Sequence, residues 1–267
     1  MSFKKYPQFL LFGDSITQFS SYLKDGYSFG AQLEEHCQRR LDVINRGLGG
    51  YNTANALSII EQVIPPTSCA QVDYLLVAFG ANDSVIPGLT PQHVSLQDFT
   101  KNIEKIISHP LVKAHNPKIL LVTPPPVDEV VRGRLDKRQG LKEVTRRQAV
   151  TREYARAIKK IVIDYQGKGL DIVLVDLWQA VMDKIAGLTP GYVDDEQPGG
   201  KNLLGSEEKG ENDVFKTFFV DGLHFTGAGY EVFYDTLVKH VGETWKDEPL
   251  DNPSYVFPPW QVAPKVE

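Results

Sequence analysis

Short apolar runs recur along the chain, and each gives way to glycine, proline or small polar residues. The first, Phe9, Leu10, Leu11 and Phe12, ends at Gly13. Four apolar residues in succession mark a strand covered by helices on both faces, because a half-exposed strand would alternate. Further runs at 41–45, 72–79, 118–123 and 172–175 read the same way. The second leads into Arg46, Gly47, Leu48, Gly49, Gly50, the third into Gly80, Ala81, Asn82, Asp83, and the fourth into Pro124, Pro125, Pro126. Between them the spacing changes to that of helices. Phe29, Leu33 and Cys37 recur every four residues within 27–40, and Ala56, Ile59, Ile60 and Val63 mark a helix with Thr53 as its cap, ended by Pro65 and Pro66. Helices are also predicted over 95–109, 141–165, 178–185 (with Asp176 as cap) and 227–245.

Four stretches break this rhythm. Residues 127–140 carry Arg132, Arg134, Lys137 and Arg138 among few apolar residues and read as a solvated, irregular basic loop. Residues 188–213 are rich in Gly, Asp and Glu, with Leu203 and Leu204 as their main apolar content, and read as a loop insertion. Residues 215–220 look like a return strand. The tail from 246 to 267 holds five prolines and reads as an extended segment lying on a body formed by 1–245.

Strands alternating with helices imply an α/β protein built on a parallel sheet with right-handed crossovers. Ser15, Gly50, Asn82 and the proline run at 124 then share one rim, the carboxyl ends of the strands, where open α/β sheets bind ligands. A reversal of strand order between the first and third strands would set Ser15 and Asn82 on either side of a crevice.

Composition narrows the partners. With a formal charge of −5, the chain of 267 residues has no general attraction for nucleic acid. The N-terminal apolar run is too short for a signal-peptide core and no run reaches membrane-spanning length, so a soluble, cytoplasmic protein without a membrane span is expected. Cys37 and Cys69 have no metal-ligand spacing and no assigned role. A homodimer is compatible with the sequence.

The chemistry starts at Ser15. Asp14, Ser15 and Thr17 could merely cap the following segment. A serine becomes nucleophilic when a histidine, oriented by a carboxylate, takes its proton. Asp221 and His224 supply that pair, three residues apart on what reads as a helical turn. The remaining histidines, His36, His93, His109, His115 and His240, read as surface residues. The backbone N–H groups of Ser15 and Gly50 and the side-chain amide of Asn82 are candidate donors to an oxyanion.

Taken in order, FGDSIT, NRGLGGYNT, FGANDS and DGLHFTGAGY resemble the blocks of SGNH or GDSL-type serine hydrolases, in particular the isoamyl acetate-hydrolysing esterase group. The resemblance implies a three-layer α/β/α sandwich around a five-stranded parallel sheet. It also implies Ser15 as nucleophile, His224 as base, Asp221 as its orienting acid, and Ser15, Gly50 and Asn82 as the oxyanion hole. The expected function is a metal-independent, cofactor-free carboxylic ester hydrolase acting on small, acetate-type esters through an acyl-Ser15 intermediate. Alternatives are a carbohydrate or lipid acyl esterase, a thioesterase, and a flavodoxin-like binding module without catalysis. No G-x-S-x-G, P-loop or H-E-x-x-H motif is present, which argues against an ordinary α/β-hydrolase, a P-loop enzyme or a common zinc hydrolase. The insertion at 188–213 departs from a compact family member and leaves substrate range open.

Overall fold

The computed structural model describes residues 5–193, 202–249 and 253–264. Its centre is a five-stranded, all-parallel sheet of β1 (Gln8–Gly13), β2 (Asp42–Gly47), β3 (Val72–Ala78), β4 (Lys118–Val122) and β5 (Ile172–Val175). The order is β2-β1-β3-β4-β5, so the chain crosses to one side of β1 and then returns to the other. Gly13 stands opposite both Gly47 and Ala78, which brings the ends of β1, β2 and β3 to one level.

Alternate residues of β1 face opposite layers. Phe9 and Leu11 pack with α2 (Phe29–His36), α8 (Leu177–Leu188) and α10 (Gly227–Val238), through Phe29, Trp178, Val181 and Phe233. Leu10 and Phe12 face α3 (Thr53–Val63), α4 (Leu96–Ile107) and α7 (Gln148–Gln166), through Ile60, Phe99, Ile103 and Ile158. The result is the three-layer sandwich expected from the apolar runs. Burying each of these large side chains contributes about 1.5–3 kcal/mol, so each layer is a sizeable source of stability for the strand ends that carry the site.

Several elements differ from the expectation. Residues 129–138 are not a loop but a helix, α6 (Glu129–Arg138), capped by Asp128 through the N–H groups of Val130 and Val131. Its buried face is Glu129, Arg132 and Asp136, so a helix is present without an apolar stripe to reveal it. The helix expected from 141 starts at Gln148, because the Thr145 N–H goes to Asp136 and the Thr145 carbonyl accepts from Ile86. A short helix, α5 (Pro110–His115), follows α4, with His109 as its cap. The cap of α3 is Asn52 rather than Thr53, whose N–H and hydroxyl both go to Asp83. The predicted return strand is mostly α9 (Phe215–Phe218), with the rings of Phe215 and Phe219 stacked one turn apart. α10 ends at Val238, and 3-10 turns at Trp245–Asp247 and Trp260–Val262 lie beyond it. His115 is buried: its Nε2 and Nδ1 meet the Pro65 carbonyl and the Val72 N–H.

Part of the predicted insertion, 194–201, lies outside the described residues. The stretch that follows is packed: Leu203 and Leu204 are buried, and the Gly205 carbonyl accepts from Glu129 N–H. In the tail, Val256 N–H bonds to the Arg39 carbonyl and the guanidinium of Arg40 lies over the Tyr255 ring. Among the described residues no helix is long and apolar enough to cross a membrane.

Candidate active site

β1 ends in a position only glycine can fill. A Cβ on Gly13 would stand 2.1 Å from Thr17 Oγ1 and 2.6 Å from the Ala78 carbonyl. Asp14 then caps α1 (Ser15–Phe19) by accepting from Ile16 N–H at 2.9 Å. The capping reading of this stretch is therefore right for Asp14, and Ser15 is left as the first helical residue. Its N–H belongs to the first turn, where no intrahelical partner exists.

Ser15 Oγ lies 2.9 Å from His224 Nε2, and His224 Nδ1 lies 2.8 Å from Asp221 Oδ2. A carboxylate can only accept, so Nδ1 carries the proton and Nε2 offers its lone pair to the Ser15 hydroxyl. The Asp221–His224 segment is a tight loop, not the expected helical turn. Asp221 Oδ1 accepts from the N–H groups of Leu223 (3.1 Å) and His224 (2.8 Å), and Gly222 between them has φ +78°. A Cβ on Gly222 would also stand 2.7 Å from the Asp128 carbonyl, so the loop can sit this close to α6 only with glycine there. Burial opposes the charge of Asp221, but hydrogen bonds from the His224 ring and backbone outweigh it and hold the carboxyl well below the usual range. Asp221 therefore stays ionised over any working pH.

The glycine loop after β2 approaches the same serine, since a Cβ on Gly49 would be 4.0 Å from Ser15 Cβ. Gly50 has φ +82°, and its carbonyl accepts from Gln92 Nε2 at 2.9 Å. The same Gln92 nitrogen reaches Asn82 Oδ1 at 3.2 Å, tying the second and third blocks together. Asn82 is buried, with Nδ2 donating to the Tyr51 carbonyl (2.9 Å) and Oδ1 accepting from an Arg146 guanidinium nitrogen (2.8 Å). Ser15, His224 and Asp221 are thus in direct contact, and Gly50 and Asn82 are held beside one another on the same rim. Beside His224, the Phe19 ring is 5.2 Å from the imidazole, Tyr22 stacks on Phe19, and the Lys24 ammonium lies 5.7 Å from the Phe19 ring centroid.

Gln92, Arg132 and Arg146 escaped the sequence reading. Gln92 stands in a loop with no periodicity, and Arg146 fell within a stretch read as helix. The one usable signal was Arg132 with Asp136, an i,i+4 pair that supports a helix.

Asp14 offers a test by stability alone. Burial, aided by the charge of Asp83, raises its pKa to about 7, against a hydrogen bond from Ile16. The fold thus holds the proton more tightly than the unfolded chain does. Stability from this group is complete below the ordinary carboxylate range and is lost as pH rises through about 7. Asp14→Asn keeps the cap and cannot ionise. Its stability in urea should match wild type near pH 4 and exceed it at pH 8 by on the order of 2–4 kcal/mol. Parallel curves for the two proteins would mean that Asp14 does not hold a raised pKa.

A model of the GDSL-like Lipase/Acylhydrolase family matches residues 11–232. The chain is 32% identical over 235 residues to an isoamyl acetate-hydrolyzing esterase 1 homolog of Bos taurus, covering 87% of this chain and 80% of that protein. It is 28% identical over 262 residues to the isoamyl acetate-hydrolyzing esterase of Saccharomyces cerevisiae, covering 96% and 94%. Among solved structures, a lipase/acylhydrolase from Enterococcus faecalis has a TM-score of 0.56 at 21% identity, covering 88% of this chain and 95% of that one. The acetyl xylan esterase AlAXEase has a TM-score of 0.62 at 18% identity, covering 88% and 99%. These two likenesses concern the fold.

Proposed function

Because this chain belongs to the GDSL-like lipase/acylhydrolase family, we propose that it is a metal-independent serine esterase that cleaves small, acetate-type esters of apolar alcohols. The observation that carries this reading is the unbroken contact from Ser15 Oγ through His224 to Asp221. In the proposed reaction His224 Nε2 takes the Ser15 proton as Oγ attacks the ester carbonyl. The Ser15 and Gly50 N–H groups and Asn82 Nδ2 stabilise the oxyanion. His224 returns the proton to the departing alcohol, leaving an acyl-Ser15 that water, activated by the same histidine, hydrolyses.

The choice of alcohol follows from where His224 delivers that proton. A leaving group beside the imidazole meets the Phe19 ring, on which Tyr22 stacks, and both rings offer apolar area. Relatives named for isoamyl acetate hydrolysis support the same choice. The test is hydrolysis of acetate, butyrate and octanoate p-nitrophenyl esters with EDTA present. Turnover is expected to persist in the chelator and to favour acetate by at least about tenfold in kcat/KM, the difference a few methylenes make in a restrictive pocket. Loss of turnover in EDTA, or a preference for octanoate, would contradict the reading.

A further inference from the structure

Asp221 and Asn82 stand at the two ends of one buried polar chain. Asp221 Oδ2 is 3.6 Å from Arg132, whose Nε (2.8 Å) and a terminal nitrogen (2.7 Å) both reach Asp136 Oδ1. Asp136 Oδ2 accepts from the Thr145 N–H and hydroxyl, both at 2.7 Å. The Thr145 hydroxyl oxygen accepts from Arg146 at 3.2 Å. Arg146 then donates its Nε to the Ala81 carbonyl (2.6 Å) and a terminal nitrogen to Asn82 Oδ1 (2.8 Å). All four connecting residues, Arg132, Asp136, Thr145 and Arg146, are buried, with Arg146 only 5% exposed. Buried charges of this kind are costly, and apolar side chains would fill the same volume more favourably. Their presence calls for a role beyond packing.

The chemistry of the last link suggests one. A guanidinium has donors and no acceptor, so the atom of Asn82 that meets it must be the carbonyl oxygen. That settles the orientation of the carboxamide: Nδ2 is turned to the other side, where one of its protons goes to the Tyr51 carbonyl. We propose that Arg146 is a positioning residue of the oxyanion hole, locking the Asn82 amide so that the second Nδ2 proton faces the developing oxyanion. The proposal rests on Asn82 being an oxyanion donor. The positive charge behind the amide also polarises its N–H bonds, an effect that grows as negative charge appears on the substrate oxygen. The gain is therefore larger in the transition state than in the bound ester, and belongs to kcat rather than KM.

The test is a double-mutant cycle on p-nitrophenyl acetate. Asn82→Ala alone should lower kcat by about 10²–10³-fold. Arg146→Met alone should lower kcat by about 10–10²-fold with KM within roughly threefold, and Arg146→Lys should recover part of the loss. In the Asn82→Ala background, Arg146→Met should cost less than about threefold, because the group it acts through is gone. Equal costs in both backgrounds would overturn the proposal while leaving Asn82 as a donor. An Asn82→Ala variant with kcat within about threefold of wild type would instead overturn the reading of Asn82, and the Arg146 proposal with it. Should Arg146→Met not fold, Arg146→Lys, alone and with Asn82→Ala, supplies the same comparison.

Discussion

Ser15→Ala is expected to lower kcat for p-nitrophenyl acetate by about 10⁴-fold or more. In the proposed reaction the Ser15 hydroxyl forms the acyl intermediate, so its removal leaves a direct attack by water as the remaining route. Some catalysis over the uncatalysed reaction should survive, because the proposed oxyanion donors are untouched. The cap of α1 is Asp14 and the Ser15 backbone is unchanged, so the variant should unfold within about 1 kcal/mol of wild type. A loss of less than about tenfold in a folded Ser15→Ala protein would remove the serine from the reaction.

His224→Ala should come close to the same loss, about 10⁴–10⁵-fold in kcat, and for a connected reason. An unassisted hydroxyl is a weak nucleophile at neutral pH, and the imidazole 2.9 Å away is the proposed base. The decisive comparison is the double variant. If Ser15 and His224 act as one unit, Ser15→Ala with His224→Ala should be no slower than Ser15→Ala by more than about threefold. A multiplicative loss would show that each residue contributes separately and would contradict the shared mechanism. Asp221 adds a condition on pH. Its carboxyl is held charged by His224, so an acid-side fall in kcat cannot arise from Asp221 titrating in the working range.

What was legible in the sequence was whatever apolar patterning or local chemistry specifies. Phe9 to Phe12 is buried on both faces, and an unbroken apolar run is the only pattern such a strand can have. The rim argument follows from topology: once β1 lies between β2 and β3, residues after each strand meet at one edge. Ser15, Gly50 and Asn82 could therefore be expected at one edge from the sequence alone.

Residues whose burial is polar were not legible in this way. α6 buries Glu129, Arg132 and Asp136, and in a sequence those letters are indistinguishable from a solvated surface. Arg146 depends on partners 64 and 65 positions away, Asn82 and Ala81, a separation that no local pattern encodes. His115 misled for the same reason, since its partners Pro65 and Val72 are brought to it by the crossing of the chain. The loop holding Asp221 and His224 was placed correctly but given the wrong shape. Three-residue spacing suits a helical turn, yet the two Asp221 Oδ1 hydrogen bonds and the left-handed Gly222 produce the same proximity without a helix.

The central claim is that Ser15 Oγ is the atom that becomes acylated, and covalent labelling tests it most directly. Wild type treated with a p-nitrophenyl alkylphosphonate should gain one phosphonyl group by intact mass, with the adduct on the peptide containing Ser15 and esterase activity lost in proportion. Ser15→Ala should gain none. An adduct on any other residue, or inactivation without modification of Ser15, would contradict the account.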